Sequence, residues 1–245
     1  NGNEDGKWMV YHENGQIKNE EHFKDGKKVG LWTTYNEDGS KGGKWTWYYE
    51  NGQIESQGNF NNDKEDGKWI FYHNNRQIEK EIHFKDRMRN GTWITYYKNG
   101  TIKGKENYID DKLDGKMISY YENGQIMNER NFQVEKLDGK MISYYENGQI
   151  KEERYLEDGK SKWITYHENE LLMEERHFRL GKLDGKMTTY YENGSIKREG
   201  NYIDGYKVGK WTTYYNNGRI ENEENYKNGI KVGNWIYYNE DGSKE

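Results

Sequence analysis

Six histidines fall as three pairs at a spacing of ten: His12 and His22, His73 and His83, His167 and His177. Regular imidazoles invite a metal centre, because neutral imidazole is the commonest transition-metal ligand in proteins. If each intervening stretch folds as a hairpin, one member lies near the turn and the other near the following loop. Five residue rises of ~3.3 Å then separate them by roughly 16 Å, too far to share a metal held at ~2.0–2.1 Å from each nitrogen. Three aspartate-bearing loops, "DDKLDG" at 110–115, "EKLDG" at 135–139 and "GKLDG" at 181–185, suggest calcium. They lack the ligand spacing and closing glutamate of an EF-hand, so they read as solvated turns. Asn90-Gly91-Thr92, Asn99-Gly100-Thr101 and Asn193-Gly194-Ser195 match glycosylation sequons. No glycine-rich phosphate loop and no nucleophile elbow occurs. These residues predict neither catalysis, nor a metal, nor a cofactor. What remains is tyrosine at fixed spacing: Tyr48, Tyr72, Tyr96, Tyr120, Tyr144, Tyr166, Tyr190 and Tyr214.

Those tyrosines mark a repeat, Gly-Lys-Trp/Met-x-x-Tyr-Tyr-Glu-Asn-Gly-x-Ile. Its anchor, the third position, is Trp8, Trp32, Trp45, Trp69, Trp93, Met117, Met141, Trp163, Met187, Trp211 and Trp235. Eleven copies start near residues 6, 30, 43, 67, 91, 115, 139, 161, 185, 209 and 233, giving one repeat domain over 1–245. The step is 24 residues except from Trp32 to Trp45, which is 13, and from Met141 to Trp163, which is 22. The short step is either a deletion or a segment missing from the sequence as given. "KLDGKMISYYENGQI" stands at both 112–126 and 136–150, one module copied in place. In such a pattern nearly every residue type recurs many times, which leaves little room for a one-off active site.

Each copy reads as a hairpin. Lys7 to His12 is an aromatic-rich strand, Asn14-Gly15 predicts a two-residue type I′ turn, and Ile17 to Phe23 returns. The polar stretch "KDGKKVG" then loops to the next copy. That register opposes His12 to Ile17, Val10 to Asn19, Trp8 to Glu21 and Gly6 to Phe23. One face carries Trp8, His12, Ile17 and Phe23, with the Phe23 ring expected to cover Gly6; this is the core side. The other carries Met9, Tyr11, Lys18 and Glu20. Copies with Asn75-Arg76 and Asn169-Glu170 lack the turn glycine, so those turns are expected to be strained or of another type. The expected fold is all-β, an elongated solenoid-like meander of antiparallel hairpins. At ~4.8 Å per strand it would span roughly 100 Å. A kink or change of twist is expected at the shortened second copy and the irregular seventh.

Hydrophobic content of 31% against 33% charged residues leans toward disorder, but 16% aromatic residues supply large buried areas. There is no cysteine, so neither disulfides nor thiolate metal sites arise. The net charge of −5 is interspersed, which argues against nucleic acid and disfavours anionic lipid. No apolar run approaches the ~20 residues of a membrane-spanning helix. The chain begins at Asn1, the pattern of a processed or truncated product.

The stretches "GKMTTYYENGSIKREGNY" at 185–202 and "GKWTTYYNNGRIENEENY" at 209–226 resemble the variant MORN repeat of bacterial proteins. The resemblance covers residues 6 to 242, in register throughout. It implies a sheet of hairpins used for protein–protein or protein–membrane contact. It also implies an exported or surface-adhesion role, with a cytoplasmic antitoxin-like role or membrane-surface recognition as alternatives. The expected partner is a protein, met along the tyrosine strip, with Glu and Lys flanking the rings. The same strip has a bland reading as cross-repeat packing. Edge-strand pairing offers a route to oligomers.

Overall fold

The computed structural model describes residues 5–244. Among them are 23 β-strands and no helix, and strands that follow one another pair antiparallel as an open meander of hairpins. The chain divides into two compact units, 1–125 with 132–136 and 126–131 with 137–245.

In the first unit, Gly6–Tyr11 pairs with Ile17–Lys24, and Gly6, Trp8 and Val10 stand opposite Phe23, Glu21 and Asn19 as the sequence predicts. The turn differs. Gly15 N–H donates to the His12 carbonyl at 3.0 Å and His12 N–H donates to Gln16 at 2.8 Å. Gly15 has φ 83° while Asn14 is not left-handed, so the loop has three residues and a bulge places Tyr11, not His12, opposite Ile17. The reason lies in the Asn14 side chain. Its Oδ1 accepts from Gln16 N–H at 3.0 Å and its Nδ2 donates to the Glu37 carbonyl of the next repeat at 2.6 Å. Asn75 and Asn169 repeat both bonds. At Asn14, Asn75, Asn169, Asn193 and Asn217 the amide thus ties its turn to the next. The type I′ turns lie instead in the loops between repeats, as at Asp25-Gly26, with φ of 52° and 74°.

Where the turn glycine is missing, the turn keeps its type and takes the strain: Arg76 and Glu170 stand at φ 71° and 67°. A left-handed L-residue costs roughly 1–2 kcal/mol, less whatever glycine loses in chain entropy. Arg76→Gly and Glu170→Gly are therefore each expected to raise stability by about 0.5–1 kcal/mol, visible as a higher urea midpoint at unchanged slope.

The aromatic side forms the core. Trp45, Phe60, Trp69 and Ile82 are buried together, with Trp47, Phe71 and Phe84 packed on them. Between most repeats the ladder opens: Gln57 pairs with Ile70 and Asn59 with Asp66, leaving Gly58 facing three residues. The Trp69 indole fills that gap and donates to the freed Asn59 carbonyl at 3.2 Å. The ring therefore lies on Gly58, where an added Cβ would meet it at 2.1 Å. This replaces the expected cover of Gly6 by Phe23, since nothing lies within 4 Å of a Cβ built there. Four residues before many anchors stands a cation over the indole: Lys28 over Trp32 at 3.9 Å, Lys41 over Trp45 at 4.7 Å, Arg89 over Trp93 at 5.3 Å. Where the anchor is Met117, Met141 or Met187, that residue is Leu113, Leu137 or Leu183.

The shortened second copy has no return strand of its own and closes its hairpin with the outgoing strand of the third copy. Gly30–Thr34 pairs directly with Gly43–Tyr48, Trp32 opposite Thr46 and Gly30 opposite Tyr48. Its turn, from Asn36 to Ser40, closes with the same two backbone bonds as the others. Losing one strand exchanges the two sides of the sheet. Trp32 now packs on Tyr48 at 5.4 Å, and Tyr35 on Trp45 at 5.7 Å.

In the second unit, the 22-residue seventh copy lacks the two residues that open the ladder elsewhere. Glu157 to Glu152 pairs without interruption with Lys160 to Thr165. The irregularity expected there is an unbroken ladder, where its neighbours are bulged.

Candidate functional site

Tyr48, Tyr72, Tyr96, Tyr120, Tyr144, Tyr166, Tyr190 and Tyr214 each end the outgoing strand of their repeat, and each is half-buried. Within each unit they share the side opposite the anchors of their own repeats. Tyr11 and Tyr35, which precede the exchange of sides, do not belong to this row.

The hydroxyls are tied to the preceding repeat. Tyr166 donates to Glu153 Oε2 at 3.1 Å and Tyr214 to Glu199 Oε1 at 2.8 Å, while Tyr72 accepts from Gln57 Nε2 at 2.9 Å. The glutamate at this repeat position holds the lysine that precedes the anchor: Lys140 on Glu153 at 2.5 Å, Lys186 on Glu199 at 2.8 Å, Lys68 on Glu81 at 3.0 Å, Lys7 on Glu20 at 2.8 Å. Burial pushes the Glu153 carboxyl up, but Lys140, Tyr155 and Tyr166 together hold it below its ordinary value. Lys186 and Tyr214 hold Glu199 down in the same way. Burial and Glu153 push the Tyr166 phenol up to about 12. Tyr166 and Tyr214 are thus held as protonated donors to their glutamates.

A second tyrosine row, one residue on, escaped the sequence reading. Tyr49, Tyr97, Tyr145, Tyr191 and Tyr215 donate to the carbonyls of Tyr72, Tyr120, Tyr166, Tyr214 and Tyr238 at 2.7–2.8 Å. The Tyr-Tyr doublet, present in six of the eleven copies, was its signal. His12 takes over this role, its Nε2 2.9 Å from the Tyr35 carbonyl. His73 and His167 occupy the same repeat position, but their Nε2 atoms are buried without a partner. His83 Nδ1 meets the Thr92 carbonyl and His177 Nδ1 that of Lys186. The histidines thus act singly, as substitutes within the repeat pattern, and no group of three or more His, Asp or Glu among the described residues could hold a metal.

On the anchor side the residue opposite the anchor varies: Gly58 and Ile82 in the first unit, Arg154, Arg176 and Glu224 in the second. Arg154 stacks on Trp163 at 3.8 Å.

Eight segments, 4–25, 41–62, 65–86, 89–110, 113–133, 137–160, 183–204 and 207–228, match the family model described as MORN repeat variant. No curated protein sequence matches the chain. Among solved structures, a chain in the TcdB2-TccC3-Cdc42 crystal structure is 11% identical with a TM-score of 0.23, over 95% of this chain and 14% of that one. A chain in the TcdB2-TccC3-TEV structure is 13% identical with a TM-score of 0.21, over 97% of this chain and 13% of that one. This chain thus spans about a seventh of those chains. Likeness at such scores carries nothing about partners.

Proposed function

Since this chain belongs to the MORN repeat variant family, whose members generally bind proteins or membranes, we propose that it acts without catalysis, as a scaffold whose β-repeat surface binds a protein partner. The observation that carries this reading is the division of labour between the two sides. The tyrosine side repeats one Lys–Glu–Tyr arrangement that joins neighbours. The anchor side carries aromatic rings in both units, and in the second it adds Arg154, Arg176 and Arg198 paired with glutamates. Variation on a constant frame is how repeat proteins set partner choice. The tyrosine strip enters as the constant side, offering ring edges whose polar tips are already engaged. A net charge of −5 works against anionic lipid.

Cross-linking affinity capture from extracts of the source organism, run beside co-sedimentation with phosphatidylcholine–phosphatidylserine vesicles, tests the proposal. A discrete protein should cross-link to the wild type and be lost when anchor-side charges are reversed. The vesicles should not pellet the chain at ~0.15 M salt, where surface charge is screened beyond about 8 Å. Vesicle binding with no protein cross-link would overturn it.

A further inference from the structure

The second unit's anchor side presents a track of cations. Arg154 and Arg176 stand opposite anchors, and Arg198 stands opposite Thr189 and Thr213. Lys207 lies 4.5 Å over Trp211 and 5.1 Å over Tyr226, and Lys231 4.6 Å over Trp235. With Arg130 at the same repeat position as Arg154, six cations share this side with three carboxylates, Glu152, Glu174 and Glu224. The two signs are layered. Side-chain exposure is 33%, 40% and 34% for Arg154, Arg176 and Arg198, but 21%, 12% and 9% for Glu152, Glu174 and Glu224, which lie beneath them. At the end of the track Glu224 serves three groups, Arg198 at 3.0 Å, Lys231 at 2.5 Å and the Tyr226 hydroxyl at 2.9 Å. Lys207 has no carboxylate within ion-pair reach among the described residues, and burial together with Arg198 and Lys231 pushes its ammonium down.

We propose that this track is the docking surface for an acidic, extended peptide segment of a protein partner, its carboxylates meeting Arg154, Arg176 and then the pair Arg198 and Lys207, which share the Trp211 ring at 5.0 and 4.5 Å. The proposal rests on the protein-binding reading above and names the chemistry of that partner. Spacing selects it. Two strands per repeat advance ~9.6 Å. A polyproline II segment has three residues per turn and rises ~9.3 Å over them, so one acidic residue in every three lies on one side in step with the repeats. Guanidinium forks suit carboxylates, and the rings beneath add stacking. A nucleic-acid strand, with a phosphate every ~3.4 Å, carries far more charge than three excess cations answer.

The test is fluorescence anisotropy with two labelled peptides, acetyl-(Glu-Pro-Ala)5-amide and a block isomer with all its glutamates at one end, alongside heparin and an oligothymidine. The periodic peptide should bind saturably and at least tenfold more tightly than the block isomer. Arg176→Gln combined with Lys207→Gln should weaken it at least tenfold, Arg176→Lys less, and Lys186→Gln on the opposite side not at all. Circular dichroism melts confirm that each variant is folded. If Arg176→Gln unfolds the unit, Lys207→Gln alone, with no buried carboxylate to orphan, should still lose severalfold. Equal binding of both peptides, indifference to these substitutions, or binding of heparin or oligothymidine alone would overturn the proposal. Peptide failure with a captured protein still cross-linked would sink only this site. Failure of both would sink the broader reading as well.

Discussion

Gly58→Ala and Gly200→Ala are each expected to destabilise their unit by about 3 kcal/mol, the upper end for an overpacked core. The added Cβ would stand 2.1 Å from Trp69 Cδ2 in the first case and 2.2 Å from Trp211 Cδ2 in the second. Neither indole can retreat, since Trp69 is 4% and Trp211 2% exposed, each held between rings of adjacent repeats. Neither glycine has a left-handed φ. Backbone preference therefore favours alanine by roughly 0.5–1 kcal/mol, and any loss belongs to the contact. Gly104→Ala is the control. Its nearest neighbour is the Thr95 hydroxyl at 3.2 Å, and its effect should stay within ~1 kcal/mol. Urea unfolding followed by tryptophan fluorescence measures all three, and equal midpoints for Gly58→Ala and Gly104→Ala would refute the packing argument.

These two glycines also mark the limit of what the sequence discloses. Strand identity, the hairpins, the opposition of Trp8 to Glu21 and the placement of the tyrosines follow from period and turn residues, because side-chain alternation is a local property. The turn was misread for a local reason of another kind. Asn14-Gly15 satisfies the rule for a two-residue loop, yet its amide bridges to Glu37, 23 residues on, and that bond is visible only once repeats are stacked. The opening of the ladder at Gly58 is likewise a property of the junction. Its sequence trace is the variable residue opposite the anchor, which reads as noise until Trp69 is seen lying on it. The exchange of sides at the second copy follows from counting strands, since removing one inverts the facing of the strands that follow within the first unit. The candidate strip was legible as a row of tyrosines. The carboxylates that tie it down were not singled out, because Glu153 and Lys140 lie 13 residues apart and meet only across the strand pair.

That pairing makes Glu153 the most sensitive charge on the tyrosine side. Its carboxylate joins three partners, with Lys140 at 2.5 Å, Tyr155 at 3.0 Å and Tyr166 at 3.1 Å. The side chain is 9% exposed. Glu153→Ala leaves an ammonium and two phenols without their acceptor and is expected to cost about 2–3 kcal/mol, the range for hydrogen bonds to a charged group. Tyr166→Phe, which removes one donor, should cost about 1 kcal/mol. The same carboxylate sets an acid dependence. Glu20, Glu153, Glu199 and Glu224 are all held below the ordinary 4.5. A carboxyl depressed in the folded state contributes stability fully above its unfolded value, and that contribution is lost as pH falls through the folded one. Thermal stability should therefore hold from neutrality to about pH 5 and decline below 4.5. Glu153→Gln lacks one share of that contribution at every pH. Its melting temperature should lie below the wild type's at pH 7 and approach it in acid, as the wild-type carboxylate is protonated. Melting curves that stay parallel down to pH 3 would show that Glu153 carries no such load, and that the tyrosine side is joined by its backbone and rings alone.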